Sequence, residues 1–142
     1  MPQVHGSRCT RLAAAAALAT AAAAAFAAEP ALSPAQQAAV DRRIAALRDP
    51  QERELARGWS NAKKVAEAIC RPLALPALRK QVKGADRVFL GSDDPATLTL
   101  ESDRLLRGRG QLRAGDAWRQ FAFRCRLDPG TGRATAFAAT LD

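Results

Sequence analysis

The chain contains no tyrosine, and its only histidine is His5. Serine–histidine and cysteine–histidine catalytic groups need a histidine beside the nucleophile, and zinc sites commonly use histidine as a ligand. The part of the chain beyond His5 therefore excludes these site types. It also has no glycine-rich phosphate loop and no spacing typical of a metal site. We accordingly expect no cofactor, no metal ion and no catalytic group of these kinds.

Acidic residues are absent from the start of the chain, where the first is Glu29. Arg8 and Arg11 precede a run that is almost all alanine, and residues 25–27 (Ala-Phe-Ala) have the small-residue pattern of a cleavage site. A positive flank, an apolar run and such a site indicate a secretory signal peptide. We predict a cleaved signal peptide over residues 1–27 and a periplasmic or secreted mature protein with no transmembrane segment. An uncleaved membrane anchor is the alternative, although spanning usually takes about 20 residues and alanine is only weakly apolar.

Cysteine is scarce, and the three present are Cys9, Cys70 and Cys125. Cys9 would leave with the signal peptide. An even pair in an exported chain favours a disulfide, because the compartment is oxidising. We therefore predict a Cys70–Cys125 bridge, which would stabilise the fold by about 4 kcal/mol in the chain-entropy description. Two buried free thiols are the alternative.

Positive charge is in excess, with 22 lysines and arginines against 14 acidic residues. A basic balance favours polyanionic neighbours, such as nucleic acid, acidic glycans or anionic lipid head groups.

Proline positions and helical periodicity predict two helices. Ser33-Pro34 and Asp49-Pro50 each place a capping side chain before a proline, which is typical of a helix start. We expect one helix over residues 34–48 and a second from Pro50 to about Cys70, ended by Pro72 and Pro76. By this division, residues 28–49 form a lead and first helix, and residues 50–142 form a disulfide-linked α+β domain.

The period changes after Gly84 to the alternation typical of strands. Phe121, Phe123 and Cys125 share one face of their strand, and Cys70 lies on the apolar stripe of its helix. The fold class we predict is α+β, with N-terminal helices packed on one face of a four- to five-stranded antiparallel meander. Gly108 and Gly110 would mark a close helix crossing or a bulge. The predicted strands cover 86–92, 96–102, 105–113, 118–127 and 133–141.

The opposite face of the same strands is rich in arginine. It is the candidate binding surface, although a merely solvated face is the alternative. The stretch "RQFAFRCR" (119–126) partly resembles the aromatic strand motif of RNA-recognition domains. It lacks the glycine and the last aromatic of that motif, and the order of elements differs, so nucleic acid is not the expected partner. The candidate binding residues are Arg107, Arg109, Arg113, Trp118, Arg124 and Arg126.

Several short stretches resemble a bacterial exported family, domain of unknown function 930. They are "EAIC" (67–70), "ADRVF" (85–89), "GRGQLR" (108–113), and Trp118 leading into "FAFRC" (121–125). The resemblance covers about half of the chain, between Glu67 and Phe137. It implies an envelope location and a fold with paired cysteines, and it implies no activity.

These observations predict a small exported domain that is not an enzyme and that binds an anionic envelope component or a protein partner. An inhibitor or accessory subunit of an envelope enzyme is one alternative. Another is a hydrolase that uses paired carboxylates, for which Asp93, Asp94 and Glu101 are available, although two aspartates before a proline are common in turns.

Overall fold

The structure, a computed structural model, describes residues 28–142. The predicted signal peptide lies outside the described residues, as do His5 and Cys9. Within residues 28–142, no helix is both long and apolar enough to cross a membrane.

Helices form the first half of the described chain. Helix α1 spans Pro34–Ala45, α2 spans Pro50–Arg57, α3 spans Asn61–Val65 and α4 spans Arg71–Arg79. The two predicted starts are confirmed, because the Ser33 hydroxyl accepts from the Gln36 N–H and the Asp49 carboxylate accepts from the Gln51 N–H. These side chains satisfy N–H groups that the first helical turn leaves without partners.

The prediction of one helix from Pro50 to about Cys70 is wrong, because the chain turns between α2 and α3. The Ser60 hydroxyl accepts from the Lys63 N–H at 3.1 Å and starts a new helix. The Glu29 carboxylate also accepts from the N–H groups of Asn61 and Ala62, at 2.7 and 2.6 Å. A carboxylate at this position is favourable for a helix start, since it faces the positive end of the helix dipole.

The prolines do not end the helical region as predicted. A π-helical turn, Ala66–Cys70, joins α3 to α4, and the Arg71 N–H donates to the Ala66 carbonyl. Pro72 therefore falls in the first turn of α4, where a missing N–H costs little. Pro76 lies inside α4 and removes one hydrogen bond, but the neighbouring Ala74 and Leu78 are fully buried and hold the helix in place.

Five antiparallel strands form a single curled sheet, so the α+β class is confirmed. Its strand order is β1-β3-β4-β5, and β2 also pairs with β3. The meander is correct from β2 onward, whereas β1 skips β2 and pairs with β3. β1 and β2 therefore lie along the same edge of β3, joined through a short 3₁₀ turn, Pro95–Thr97. The strands are Ala85–Leu90, Leu98–Ser102, Leu105–Ala114, Ala117–Asp128 and Arg133–Leu141.

The glycines of β3 are crowded by neighbouring strands and by the 3₁₀ turn rather than by one of the α-helices. A Cβ on Gly110 would lie 2.5 Å from Cζ of Phe121 and 2.6 Å from the Phe89 carbonyl oxygen. A Cβ on Gly108 would lie 2.4 Å from the Thr97 carbonyl oxygen. The register of β3 shifts at neither glycine, so the expectation of a helix crossing or a bulge is wrong.

One core joins the helices to the inward face of the sheet. Val40 and Ile44 of α1 belong to the same buried cluster as Phe121. Gln36 is the only buried polar residue described, and its amide donates to the Asp103 carbonyl at 2.6 Å. The Ser33 hydroxyl donates to the Pro129 carbonyl at 2.7 Å. These two bonds attach the start of α1 to the turn before β3 and to the turn after β4.

Candidate functional site

The two cysteines of the described chain form a disulfide, as predicted. Cys70 lies at the end of the π-helical turn and Cys125 lies in β4, with 6.1 Å between their Cα atoms. Both side chains are fully buried. The bridge therefore links the helical region covalently to the middle of the sheet, and residues 71–124 form the closed loop between them.

The six candidate binding residues lie on the face of the sheet that points away from the core, called the outer face below. Their alternation with the buried Leu106, Phe121 and Phe123 gives this placement. The register sets Arg107 opposite Arg124 and Arg113 opposite Trp118. All six are exposed except Arg113, which is half-buried. The outer-face members are Arg107, Arg109 and Arg113 of β3 and Trp118, Arg124 and Arg126 of β4.

Three of these arginines are neutralised by carboxylates that the sequence analysis did not connect with them. The Arg107 Nε lies 2.6 Å from an oxygen of Glu101, and Arg109 pairs with Asp142. Register determines these partners, since Glu101 comes from β2 and Asp142 follows β5. The partner of Arg113 is a third carboxylate, Asp86 of β1.

The Arg113–Asp86 pair has two hydrogen bonds, at 3.1 and 2.8 Å. The hydrogen bond from Arg113 holds the pKa of Asp86 below its ordinary value, and the same bond raises the pKa of Arg113. A bidentate arginine–carboxylate pair is geometrically specific. It fixes the Arg113 side chain at the end of the sheet next to Trp118.

Arg124 and Arg126 differ from these three, because they form no ion pair with any other residue of the described chain. Beside Arg124 the outer face is hollowed into a shallow trough of about 410 Å³. Three arginines and several residues with small side chains line it. Such a trough brings arginine side chains close to an open space, where a carboxylate or phosphate can accept several hydrogen bonds. The small lining residues include Ala122, Ala138 and Thr140, and the arginines are Arg107, Arg109 and Arg124.

An exposed aromatic pair lies at the other end of the outer face. The rings of Phe89 and Trp118 stack with 5.7 Å between centroids, and the two residues are 40% and 48% exposed. The Arg113 guanidinium lies 5.9 Å from the Trp118 ring, and that of Arg71 lies 5.9 Å from the Phe89 ring. Exposed aromatic and arginine side chains are enriched at the centres of protein interfaces.

Two of the three carboxylates considered for hydrolysis, Asp94 and Glu101, have structural partners. Asp94 accepts from the Ala96 N–H at 2.9 Å and starts the 3₁₀ turn, which is ordinary turn chemistry. Glu101 is held by Arg107. In residues 28–142, no group of three or more histidine, cysteine, aspartate or glutamate side chains is arranged to hold a metal ion.

A second, helical hollow of about 290 Å³ lies between α1, α2 and the π-helical turn, and the sequence analysis did not predict it. Leu55 and Trp59 line it from one side and Glu67 from the other. Burial opposes ionisation of Glu67, but the hydrogen bonds from Lys63 and Arg71, at 2.9 and 2.7 Å, outweigh it and lower its pKa below the ordinary 4.5. Glu67 therefore acts as a partly buried anionic link between Lys63 of α3 and Arg71 of α4.

Comparison of the chain with protein-family models, with curated proteins and with solved structures found no match.

Proposed function

We propose that the protein is a small, non-catalytic domain of the cell envelope whose outer face binds a polyanion through carboxylate or phosphate groups. The observation that carries this proposal is the trough beside Arg124, which three arginines line together with small side chains.

The ion pairs within the face support this function. Glu101 and Asp142 hold Arg107 and Arg109 in position. An anion that enters the trough therefore meets side chains whose freedom is already restricted, which lowers the entropic cost of binding. Arg124 remains available as a cation that no described carboxylate neutralises.

The predicted location agrees with this partner. A fully buried disulfide favours an oxidising compartment, and the signal peptide and the family resemblance both predict the envelope. Anionic glycans and anionic lipids are the abundant polyanions of that compartment.

The sharpest test replaces Arg124, which lines the trough, and Arg126, which lies on the same outer face of β4, together by glutamine. Neither has an acidic partner in the described chain, so the change removes the basic partner of no carboxylate. We expect retention on anionic glycan or on anionic lipid vesicles to fall at least fivefold at low salt, with unchanged thermal unfolding. The salt dependence of binding should also weaken. Loss on only one of the two materials would identify the source of the anion.

The matched control is the double change Arg48→Gln and Lys83→Gln, which removes the same charge from exposed positions outside the trough. We expect the control to bind like the parent protein. If the two double variants lose retention to the same extent, charge alone explains retention and the trough has no special role.

Export has a separate test, the intact mass of the protein recovered from the periplasm, alkylated with and without prior reduction and unfolding. We expect a chain that starts near Ala28 and gains two alkyl groups only after reduction. A full-length chain, or one whose thiols alkylate freely, would contradict the proposed location.

A second candidate function is an accessory or inhibitory subunit that binds a protein partner, and the exposed Phe89–Trp118 pair favours it. Affinity capture from periplasmic extract should then recover one stoichiometric partner, and Trp118→Ala should lose it. Arg124→Gln with Arg126→Gln should not affect that capture.

A further inference from the structure

Strand β5 is the last strand of the sheet, and no strand of residues 28–142 pairs with its outer edge. Between Ala134 and Leu141 it has no charged residue and no proline. Natural sheets usually protect an edge of this length with charges, proline or a bulge, because its unpaired N–H and C=O groups can bond to the backbone of another strand. The one register shift between β4 and β5 lies near the start of β5, so Ala136–Leu141 form an uninterrupted edge.

The register shows which backbone groups point outward. The Asp142 N–H donates to the Gln120 carbonyl, so the backbone at Asp142 faces β4. Because backbone direction alternates along an antiparallel strand, the N–H and C=O groups of Phe137, Ala139 and Leu141 face the open edge. The Gln81 side-chain amide donates to the Ala139 carbonyl at 3.1 Å. An N–H group of an added strand would make the same kind of bond.

A groove runs beside this edge, between β5 and α4. It consists of two hollows, of about 480 and 290 Å³, which meet at Pro72 and Leu73. Its walls combine apolar and polar groups in about equal measure, and Ala134 and Phe137 of β5 contribute apolar ones. Side chains of an added strand would alternate between the two sides of the sheet. Every second side chain of that strand would therefore lie over α4, at the groove.

The charges along the groove have one sign. Arg42 and Arg133 line one hollow and Lys80 lines the other, and no acidic residue lines either. None of the three cations forms an ion pair within residues 28–142. A second copy of this chain would bring the same basic residues to the contact, whereas an acidic segment would complement them.

We propose that the open edge of β5 binds an extended acidic peptide segment by strand addition. The peptide backbone would bond to Phe137, Ala139 and Leu141. Its apolar side chains, at alternate positions, would enter the groove beside α4, and its carboxylates would meet the three cations. This mode takes its affinity from the backbone and its specificity from the alternate side chains. It uses other residues than the arginine trough and does not rest on the proposed polyanion function.

The test begins with a displayed library of random octapeptides, panned against the protein recovered from cells that express the whole chain. We expect enriched peptides to alternate apolar and acidic residues. Addition of an enriched peptide should slow hydrogen exchange at the amides of Phe137, Ala139 and Leu141, measured by NMR. Failure to enrich any peptide, or protection of other amides instead, would overturn the proposal.

Two variants complete the test. Ala139→Pro removes an N–H that faces the open edge and not β4, and edge strands tolerate such a proline. We expect it to abolish peptide binding measured by fluorescence anisotropy. Lys80→Glu should weaken binding at least fivefold, whereas Lys83→Glu, an equal charge change outside the groove, should not. The Lys80 and Lys83 variants decide the matter even if the proline variant fails to fold.

Two results with these variants would contradict strand addition. One is equal peptide affinity for the parent protein and Lys80→Glu. The other is a dimer of the parent protein that Ala139→Pro dissociates, because the edge would then belong to a second copy of the chain.

Discussion

The two faces of the sheet follow the same alternation of residues, but different forces hold their side chains. On the inner face, Phe121, Phe123 and Cys125 are buried and packed in the core, and Cys125 is also bonded covalently to Cys70 of the helical region. On the outer face, Arg107 and Arg113 are held by ion pairs whose members remain 32–55% exposed. Burial of a large apolar side chain contributes about 1.5–3 kcal/mol, whereas an exposed ion pair contributes at most about 1 kcal/mol.

This difference shows that stability and recognition are separated across the thickness of one sheet. Outer-face side chains can change partners at little cost to the fold, because their bonds are exposed to water and screened by salt. Inner-face side chains cannot change partners without a large loss of stability. The following predictions test this separation, from the largest expected effect on stability to the smallest.

Loss of the disulfide should have the largest effect. Replacing Cys70 and Cys125 together by alanine should lower the free energy of unfolding by about 4 kcal/mol, because the unfolded chain regains the freedom of a loop of 55 residues. Urea denaturation measures this loss. The outer-face variant with Arg124→Gln and Arg126→Gln should change stability by no more than about 0.5 kcal/mol. Similar losses in the two double variants would refute the separation of the two faces.

Crowding against the inner face should have the next largest effect. Gly110→Ala should cost about 1–3 kcal/mol, because its Cβ would meet the fully buried Phe121 ring and a backbone oxygen of β1. The matched control is Gly58→Ala, whose nearest neighbour would lie at an ordinary 3.5 Å. The midpoint temperature of thermal unfolding should therefore fall for Gly110→Ala and not for Gly58→Ala. A fully stable Gly110→Ala protein would mean that the packing of β3 on β4 is looser than described.

The ion pairs of Glu67 and Asp86 offer the finest comparison, since both join a carboxylate to one or more basic side chains and their exposure to water differs. The Glu67 side chain is 15% exposed, against 48% for Asp86. Glu67→Gln should cost about 1–3 kcal/mol at pH 7, because Lys63 and Arg71 lose a partly buried charged partner. Asp86→Asn should make no measurable difference. Equal losses of stability for Glu67→Gln and Asp86→Asn would contradict the conclusion that exposure decides how much an ion pair stabilises the fold.

The pH dependence gives a second readout of Glu67. Its pKa is lower in the folded protein than the ordinary 4.5, so the stability that it contributes is present above pH 4.5. That stability is lost as pH falls through the folded pKa. The stability difference between the parent protein and Glu67→Gln should therefore shrink below pH 4.5. A difference that stays constant down to pH 2 would show that packing, not charge, explains the loss.

The sheet was predictable from sequence because its pattern has a period of two. Phe121, Phe123 and Cys125 alternate with Ala122 and Arg124, so both faces of β4 followed from the sequence. The disulfide followed from the count of cysteines after removal of Cys9, together with the matching apolar faces.

The helix boundaries were less predictable, because their determinants lie far apart in the chain. The apolar stripe continues from α2 into α3, which hides the turn between them. That turn is fixed by the Ser60 cap and by the Glu29 carboxylate, which reaches the start of α3 from 32 residues away. Pro72 was expected to stop a helix, because proline removes an N–H from a helix interior. The π-helical turn that instead places Pro72 in a first helical turn leaves no periodic signal in the sequence.

The outer-face partners were unpredictable for a similar reason. Arg109 and Asp142 are 33 residues apart, and Arg113 and Asp86 are 27 apart. Only the register of the strands brings them together. Composition indicated a basic face, but which arginines remain without a partner is a property of the folded sheet.

The spacing of the two cysteines also has a consequence for biogenesis. During synthesis, Cys70 emerges 55 residues before Cys125, and three complete strands lie between them. Residues 28–142 contain no third cysteine, so only one intramolecular pairing is available within them. Within these residues an oxidant alone is sufficient to complete the pairing, and no disulfide shuffling enzyme is required to correct it.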